Sequence, residues 1–173
     1  MLTGRASLIT RGLRRWRKFE ACTLPGNMIL SPDFKEFLQL LNKNDVRYLV
    51  IGGFAVAFHG YPRFTKDIDI WLWLDPENAK RVVKTLKDFG FGSLDLTEKD
   101  FLEPDVIIQL GYPPNRIDLL TTASGVDFMD SYQARIEESV DGVTLPFIDL
   151  QNLKKNKRSS GRAQDVADIE NLE

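Results

Sequence analysis

The sequence is poor in the residues from which several kinds of site are built. Its 173 residues include one cysteine and one histidine, so that no intrachain disulfide, Cys/His zinc site or Cys/His catalytic pair can form. No apolar run approaches the ~20 residues of a membrane-spanning helix. The remaining composition, 43% hydrophobic and 28% charged, is ordinary for a globular protein. We therefore expect a cytoplasmic protein with no membrane contact.

Net charge is also small, at −2, but it is unevenly distributed. Residues 1–27 carry six basic residues and one acidic residue, a net charge of +5 against −7 for residues 28–173. So acidic a domain argues against nonspecific nucleic-acid binding. We expect residues 1–27 to be a poorly ordered, dispensable basic extension and residues 28–173 to form the domain. A transit peptide, or contact of the Arg14–Lys18 cluster with RNA or a membrane, is the alternative.

The order of helical and strand patterns predicts an α+β fold. Ser31-Pro32 is typical of a helix start, and Gly52-Gly53 follows a short buried strand and precedes a short helix. Strict alternation over residues 67–74 predicts a strand with two distinct faces. The later patterns predict a helix at 76–89, strands at 105–110 and 116–121, a helix at 126–133, a hairpin of 136–140 and 143–147, and helices at 149–157 and 163–172. This order indicates a mixed sheet with helices packed on it.

Two aspartates share one face of the strand at 67–74. Asp67 and Asp69 lie two residues apart, roughly 6.5–7 Å along a strand, while Ile68 and Ile70 point to the opposite face. Two carboxylates so placed repel each other unless a cation lies between them. Hard oxygen ligands on a rigid strand suit Mg²⁺ or Mn²⁺. The alternative is a solvated strand face without a ligand.

A third carboxylate, Asp118, lies in the short strand at 116–121. If that strand neighbours the first, the three carboxylates converge, which is the minimum for holding two metal ions in a phosphoryl transfer. Arg116, on the same face, could instead simply accompany Asp118. Gly52 and Gly53 stand between a strand and a helix, where backbone amides can approach a phosphate. Gly-Gly alone is more often a tight turn.

Residues 50–55 and 60–70 together resemble the nucleotidyltransferase superfamily. The lead-in Gly-x-x-Arg-x-Thr-x-Asp-x-Asp, from Gly60 to Asp69, is more specific than the Gly-Gly turn. The resemblance covers about residues 46–170 and looks closest to the branch of AbiEii-type toxins and small nucleotidyltransferase-like proteins. It implies a palm-like mixed sheet, Mg²⁺ or Mn²⁺ dependence, and transfer of a nucleoside monophosphate from a nucleoside triphosphate with release of pyrophosphate.

The resemblance also implies a role for each matching residue. Asp67 and Asp69 would bind metal, and Asp118 would complete the site and help to deprotonate the acceptor hydroxyl. Arg63 and Thr65 would contact phosphate, although both could be loop residues that pair with nearby acids. The acceptor would be a protein or an RNA, and the setting a toxin–antitoxin or defence system.

The C-terminal segment is similar to a Lys…Arg…Asp…Asp pattern of that branch. Lys157 and Arg162 would reach the triphosphate, and Asp165 and Asp168 would orient these basic side chains or cap the last helix. A solvated, charge-rich pair of helices is the alternative. Because many relatives carry an added helical domain, a partner protein or a homo-oligomer could supply the acceptor surface.

Three other residues are weaker candidates. We expect His59 to be a packed or edge residue rather than a general base. Trp71 and Trp73 share the aspartate face and could form a wall of a nucleotide pocket, although packing under a helix is the more ordinary role. A nucleotide-binding module without turnover, or an antitoxin-like partner protein, is the alternative to an enzyme.

Overall fold

The computed structural model describes residues 6–9, 23–24, 27–61, 65–112 and 115–172. The strands are β1 (Ala6–Ile9), β2 (Thr23–Leu24), β3 (Asn27–Met28), β4 (Tyr48–Ile51), β5 (Asp67–Leu72), β6 (Ile107–Leu110), β7 (Arg116–Leu120), β8 (Ile136–Val140) and β9 (Val143–Phe147). The helices are α1 (Pro32–Lys43), α2 (Gly52–Phe58), α3 (Pro76–Asp88), α4 (Phe128–Gln133), α5 (Leu150–Ser160) and α6 (Ala163–Asn171).

The larger sheet runs in the order β1–β6–β7–β5–β4–β9–β8. β5 pairs in parallel with β7 and antiparallel with β4. β6 pairs antiparallel with β7, and β8 forms the expected hairpin with β9. β2 and β3 form a separate antiparallel pair. The predicted α+β class with a mixed sheet is confirmed.

The N-terminal extension, residues 1–27, contributes strand β1 to the sheet edge, where it pairs in parallel with β6. Most of the extension lies outside the described residues. That it is poorly ordered and dispensable stays a prediction.

Helix α1 forms where the capping pattern predicted it. Ser31 Oγ accepts a hydrogen bond from the Phe34 amide at 3.2 Å, and Pro32 occupies the first turn, where no amide donor is missed. Its apolar stripe is fully buried, as the 3.6-residue spacing requires. The stripe consists of Phe34, Phe37, Leu38 and Leu41. Helix burial here follows directly from the sequence pattern.

The centre of the sheet is buried on both faces at β4, whose four residues are all in the core. The first four residues of β5, next to it, are buried on one face only. Ile68 and Ile70 on that face are inaccessible to solvent, whereas Asp67 and Asp69 on the other face are partly exposed. The two carboxylates therefore lie on a strand whose opposite face is closely packed in the core, which limits its movement.

Strand β5 ends at Leu72, two residues earlier than the alternation predicts. The side-chain amide of Asn78, near the start of α3, donates to the carbonyls of Trp73 and Arg47 at 3.0 Å each. Asp75 caps the same helix by accepting from the Asn78 amide. These contacts hold the chain in the turn into α3, and such side-chain pairing between distant segments is not visible in a periodic pattern.

Candidate active site

Asp67, Asp69 and Asp118 meet on adjacent strands. In the parallel pairing of β5 with β7, Asp69 stands opposite Asp118 and Asp67 stands opposite Arg116. Neighbouring strands lie about 4.8 Å apart, so these side chains emerge within contact range of one another. The condition stated for the third carboxylate, that its strand should neighbour the first, is met.

Gly52 borders the same carboxylates from the other side. β4 pairs antiparallel with β5 so that Ile51 stands opposite Asp69, and Gly52 follows immediately. A Cβ atom on Gly52 would lie 1.9 Å from Oδ2 of Asp69, and the residue has φ of +65°. Only glycine fits both the space and the backbone conformation. Gly53 is buried in the first turn of α2, and phosphate contact by either glycine stays a prediction.

Arg116 bridges two of the three carboxylates. Its Nε donates to Oδ1 of Asp118 at 2.7 Å, and its Nη2 donates to Oδ2 of the same residue at 2.9 Å. Nη2 also donates to Oδ2 of Asp67 at 2.6 Å. Gln109 donates to Oδ2 of Asp118 at 3.3 Å, and Thr65 Oγ1 donates to Oδ1 of Asp67 at 3.0 Å. Asp67 and Asp118 are thus held by a fixed set of donors.

Asp69 has a different environment. Among the residues that the structure describes, none donates a hydrogen bond to its carboxylate. Burial, together with the negative charges of Asp67 and Asp118, raises the pKa of Asp69 to about 7, although the positive charges of Arg162 and Lys157 act in the opposite direction. When neighbouring negative charges raise the pKa of a carboxyl group, an added cation stabilises its ionised form.

The acidic group fits one divalent cation better than two. Asp69 offers an oxygen ligand without a donor from the described residues, and its Oδ2 is packed against the backbone of Gly52. Asp67 is next to it on the same face, and its side chain is 33% exposed. Within the described ranges, however, no three acidic, histidine or cysteine side chains are grouped to hold a metal ion. The guanidinium of Arg116 lies between Asp67 and Asp118, where such a grouping would form.

The C-terminal helices contain a second charged cluster. Lys157 is almost fully buried, and its Nζ forms ion pairs with Asp165 at 2.9 Å and Asp168 at 2.7 Å. Arg162 Nε and Ser160 Oγ both donate to Oδ2 of Asp165. Lys157, Asp165 and Asp168 are buried, so this segment is not the solvated helix pair considered as the alternative.

This cluster lies near the aspartates on β5. Helix α5 packs against α2, and Asn156 donates to the carbonyl of Ser124 in the loop after β7. Lys157 and Arg162 both lower the pKa of Asp69, so both are within electrostatic range of its carboxylate. The Arg162 side chain is 76% exposed and can reach a ligand, whereas Lys157 is enclosed by its two acidic partners.

The remaining candidates divide into three groups. Arg63 lies outside the described residues, so its contact with phosphate stays a prediction. Trp71 is buried and packs edge-on against Phe128 of α4, at 5.1 Å between ring centroids, while Trp73 stacks on the same ring at 6.5 Å. His59 Nε2 donates to the carbonyl of Ile148 at 2.8 Å, which is a packing role.

Sequence reasoning missed the full set of partners at the site. Gln109 and Ser160 carried no motif signal. The burial of Lys157 was signalled in the sequence, because Leu153, four residues earlier on the same helix face, is apolar, and it is fully buried. A lysine continuing an apolar stripe indicates a buried charge that needs acidic partners.

Comparisons with known proteins show the family of the chain and its fold. The profile of the family described as nucleotidyltransferase of unknown function (DUF6036) matches residues 30–173. No curated protein matches the chain. A putative nucleotidyltransferase from Thermotoga maritima has a similar structure, with a TM-score of 0.57 and 16% identity over 84% of this chain and 95% of that one. At this identity the likeness shows the shared fold.

Two further solved structures are more distant. A lincomycin-bound lincosamide antibiotic adenylyltransferase has a TM-score of 0.49 and 17% identity, covering 83% of this chain and 96% of that one. An antigenic nucleotidyltransferase-like protein from Paracoccidioides brasiliensis has a TM-score of 0.49 and 16% identity, covering 83% and 77%. None of these matches confirms the AbiEii-type branch, which stays a prediction. On the family match, the chain belongs to the nucleotidyltransferases of unknown function (DUF6036).

Proposed function

We propose that the protein is a metal-dependent nucleotidyltransferase that transfers a nucleoside monophosphate from a nucleoside triphosphate to a hydroxyl group of a protein or an RNA. The observation that carries this proposal is the convergence of Asp67, Asp69 and Asp118 beside Gly52. Family membership supports the reaction class. The metal dependence rests on the oxygen-rich, mutually repelling carboxylates.

In this proposal Asp69 and Asp67 would hold Mg²⁺ or Mn²⁺, which would neutralise charge on the triphosphate. The acceptor oxygen attacks the α-phosphorus, and the bond from that phosphorus to the bridging oxygen breaks. Pyrophosphate leaves with the bonding electrons. The hydroxyl proton passes to Oδ1 of Asp118, which accepts one hydrogen bond from Arg116 and keeps a second lone pair. The products are a phosphodiester, pyrophosphate and one proton.

The triphosphate binds on the side of the C-terminal helices. Arg162 is the cation that supports this placement best, because its guanidinium is exposed and lies within electrostatic range of Asp69. Lys157 forms ion pairs with Asp165 and Asp168 and so fixes the position of α6. Its buried charge contributes to the potential at the site without contacting the triphosphate. Thr65 Oγ1 lies 2.9 Å from the backbone carbonyl of Asp67 and 3.0 Å from its Oδ1, and its one hydroxyl proton serves one of these acceptors at a time. Its direct contact with phosphate is the further part of the proposal.

The acceptor surface and the biological setting complete the proposal. We propose that a partner protein or a second copy of the chain presents the acceptor beside the C-terminal helices α5 and α6. A toxin–antitoxin or defence role in the cytoplasm follows from the resemblance to the AbiEii-type branch. No helix in the described ranges is long and apolar enough to cross a membrane.

The experiment compares each nucleoside triphosphate radiolabelled at the α- or the γ-phosphorus, incubated with the protein, Mg²⁺ and cell lysate. We expect the α-label, and not the γ-label, to appear on protein or RNA, with loss of transfer on chelation. Asp69→Asn should reduce transfer roughly 100-fold or more, because a lost metal ligand forfeits several kcal/mol of transition-state stabilisation.

The matched control is Asp95→Asn, an identical change at an exposed loop residue with φ of +53°, which asparagine also adopts. It should leave transfer unchanged. Triphosphate binding without transfer to any acceptor would favour the nucleotide-binding module instead. Transfer of the γ-label would contradict the proposed bond cleavage.

A further inference from the structure

Both carboxylate oxygens of Asp118 are occupied by one guanidinium. Arg116 donates to Oδ1 through Nε and to Oδ2 through Nη2, the two-pronged geometry in which arginine binds carboxylates most strongly. Gln109 adds a further donor to Oδ2. The Asp118 side chain is 8% exposed, and the guanidinium already supplies the positive charge that a metal ion at these oxygens would bring, whereas a neutral acceptor hydroxyl can still donate to the remaining lone pair of Oδ1.

The same guanidinium extends to the second strand. Nη2 of Arg116 donates to Oδ2 of Asp67, while the other oxygen of Asp67 accepts from Thr65. Arg116 therefore occupies the position between two carboxylates on neighbouring strands that a bridging metal ion would take. An arginine keeps its charge throughout the physiological pH range, so this cation is permanent.

Asp69 is the member of the group that Arg116 does not bind. None of the described residues donates a hydrogen bond to it, and its Oδ2 occupies the position that a side chain on Gly52 would take. Three carboxylates, one guanidinium and one divalent ion sum to zero charge. A second divalent ion would have to enter against the fixed positive charge of Arg116 at a few ångströms, where repulsion is strong.

We infer that the site binds one divalent metal ion per bound nucleotide, at Asp69 and Asp67, and that Arg116 serves as the second cation in place of a second metal ion. This inference rests on the proposed function. It makes Arg116 a positioning residue that holds Asp118 and Asp67 for the acceptor. It replaces the two-metal arrangement that three converging carboxylates suggest from sequence alone.

Equilibrium dialysis tests the inference without measuring turnover. The protein is dialysed against Mn²⁺ and a labelled, non-hydrolysable nucleoside triphosphate, and the excess of each on the protein side gives bound Mn²⁺ per bound nucleotide. We expect a ratio of one for the wild type. A ratio of two would overturn the inference while leaving the proposed function intact. Binding of neither Mn²⁺ nor nucleotide would refute the proposed function itself.

Substitutions at Arg116 separate its charge from its structural contribution. Arg116→Ala and Arg116→Gln remove the charge and free the oxygens of Asp118, so both should raise the ratio from one to two. Arg116→Lys keeps the charge and should leave the ratio at one. Arg116→Gln retains a shorter, neutral hydrogen-bond donor, so it remains informative if Arg116→Ala does not fold. A ratio of one in a folded, charge-removed variant would overturn the inference.

Discussion

Gly52→Ala tests whether the close approach of the backbone to Asp69 is essential to the site. The added Cβ atom would lie 1.9 Å from Oδ2, 2.7 Å from Cγ and 3.0 Å from Cβ of Asp69. Rotation of the carboxylate alone cannot relieve the contact, because the Cβ atom of Asp69 is itself too near. Either the strand ends separate or Gly52 leaves its left-handed conformation.

Two costs add in this variant. An alanine held in the left-handed region costs about 1–2 kcal/mol, and forcing an extra group into a packed site costs roughly 1–3 kcal/mol more. The expected loss is therefore about 2–5 kcal/mol in the free energy of unfolding, and a loss of each kcal/mol lowers Tm by roughly 2–4 °C in a protein of this size.

The assay is urea denaturation of the metal-free protein, with Gly142→Ala as the matched control. Gly142, in the β8–β9 turn, has φ of +78°, and a Cβ atom there would meet nothing within 4 Å. The free energy of unfolding of Gly142→Ala should fall only by the cost of the left-handed backbone conformation, about 1–2 kcal/mol. In the double variant Gly52→Ala/Asp69→Ala, removal of Oδ2 and Cγ should recover part of the excess. Equal losses at Gly52 and Gly142, or no recovery in the double variant, would refute the steric argument.

The C-terminal cluster gives three further predictions. Lys157→Met leaves two buried carboxylates without their cation and should destabilise the protein by about 3–5 kcal/mol, whereas Arg162→Ala, at an exposed side chain, should cost less than about 1 kcal/mol; equal losses in urea denaturation would contradict this. Burial alone would raise the pKa of Asp165, but hydrogen bonds from Arg162, Lys157 and Ser160 outweigh it and hold the pKa well below its usual range. Because the unfolded chain binds this proton near pH 3.9, stability from Asp165 should be complete above about pH 4 and fall below it; an Asp165→Asn variant with the same acid dependence as the wild type would disprove the assignment. Arg162→Ala should weaken triphosphate binding about tenfold or more, since a charge-assisted contact contributes roughly 1.5–3 kcal/mol, and leave nucleoside binding unchanged; calorimetry showing equal triphosphate affinity would exclude the contact.

The face pattern of β5 was predictable because strand periodicity is local. Alternation places Asp67 and Asp69 on one face and Ile68 and Ile70 on the other, and the structure has this arrangement. The hairpin of β8 and β9 followed equally from its turn residues, Asp141-Gly142. Both features depend on residues within a few positions of one another.

The contacts of Arg116 were not predictable, since they depend on pairing between strands 49 residues apart in sequence. The sequence places Arg116 on the face of Asp118, but the register of β5 against β7 decides that it also reaches Asp67. The buried ion pairs of Lys157 likewise require the turn at Gly161, which brings α6 back along α5. Sequence spacing identified the charged residues there but not their burial.

The measurement that tests the central claim most directly is anomalous diffraction from crystals grown with Mn²⁺ and a non-hydrolysable nucleoside triphosphate. The account predicts an anomalous peak at coordination distance, roughly 2.0–2.6 Å, from an oxygen of Asp69, with phosphate oxygens on the same ion and Arg116 still bound to Asp118. An anomalous peak away from Asp69, or a triphosphate bound on another face of the sheet, would contradict the account.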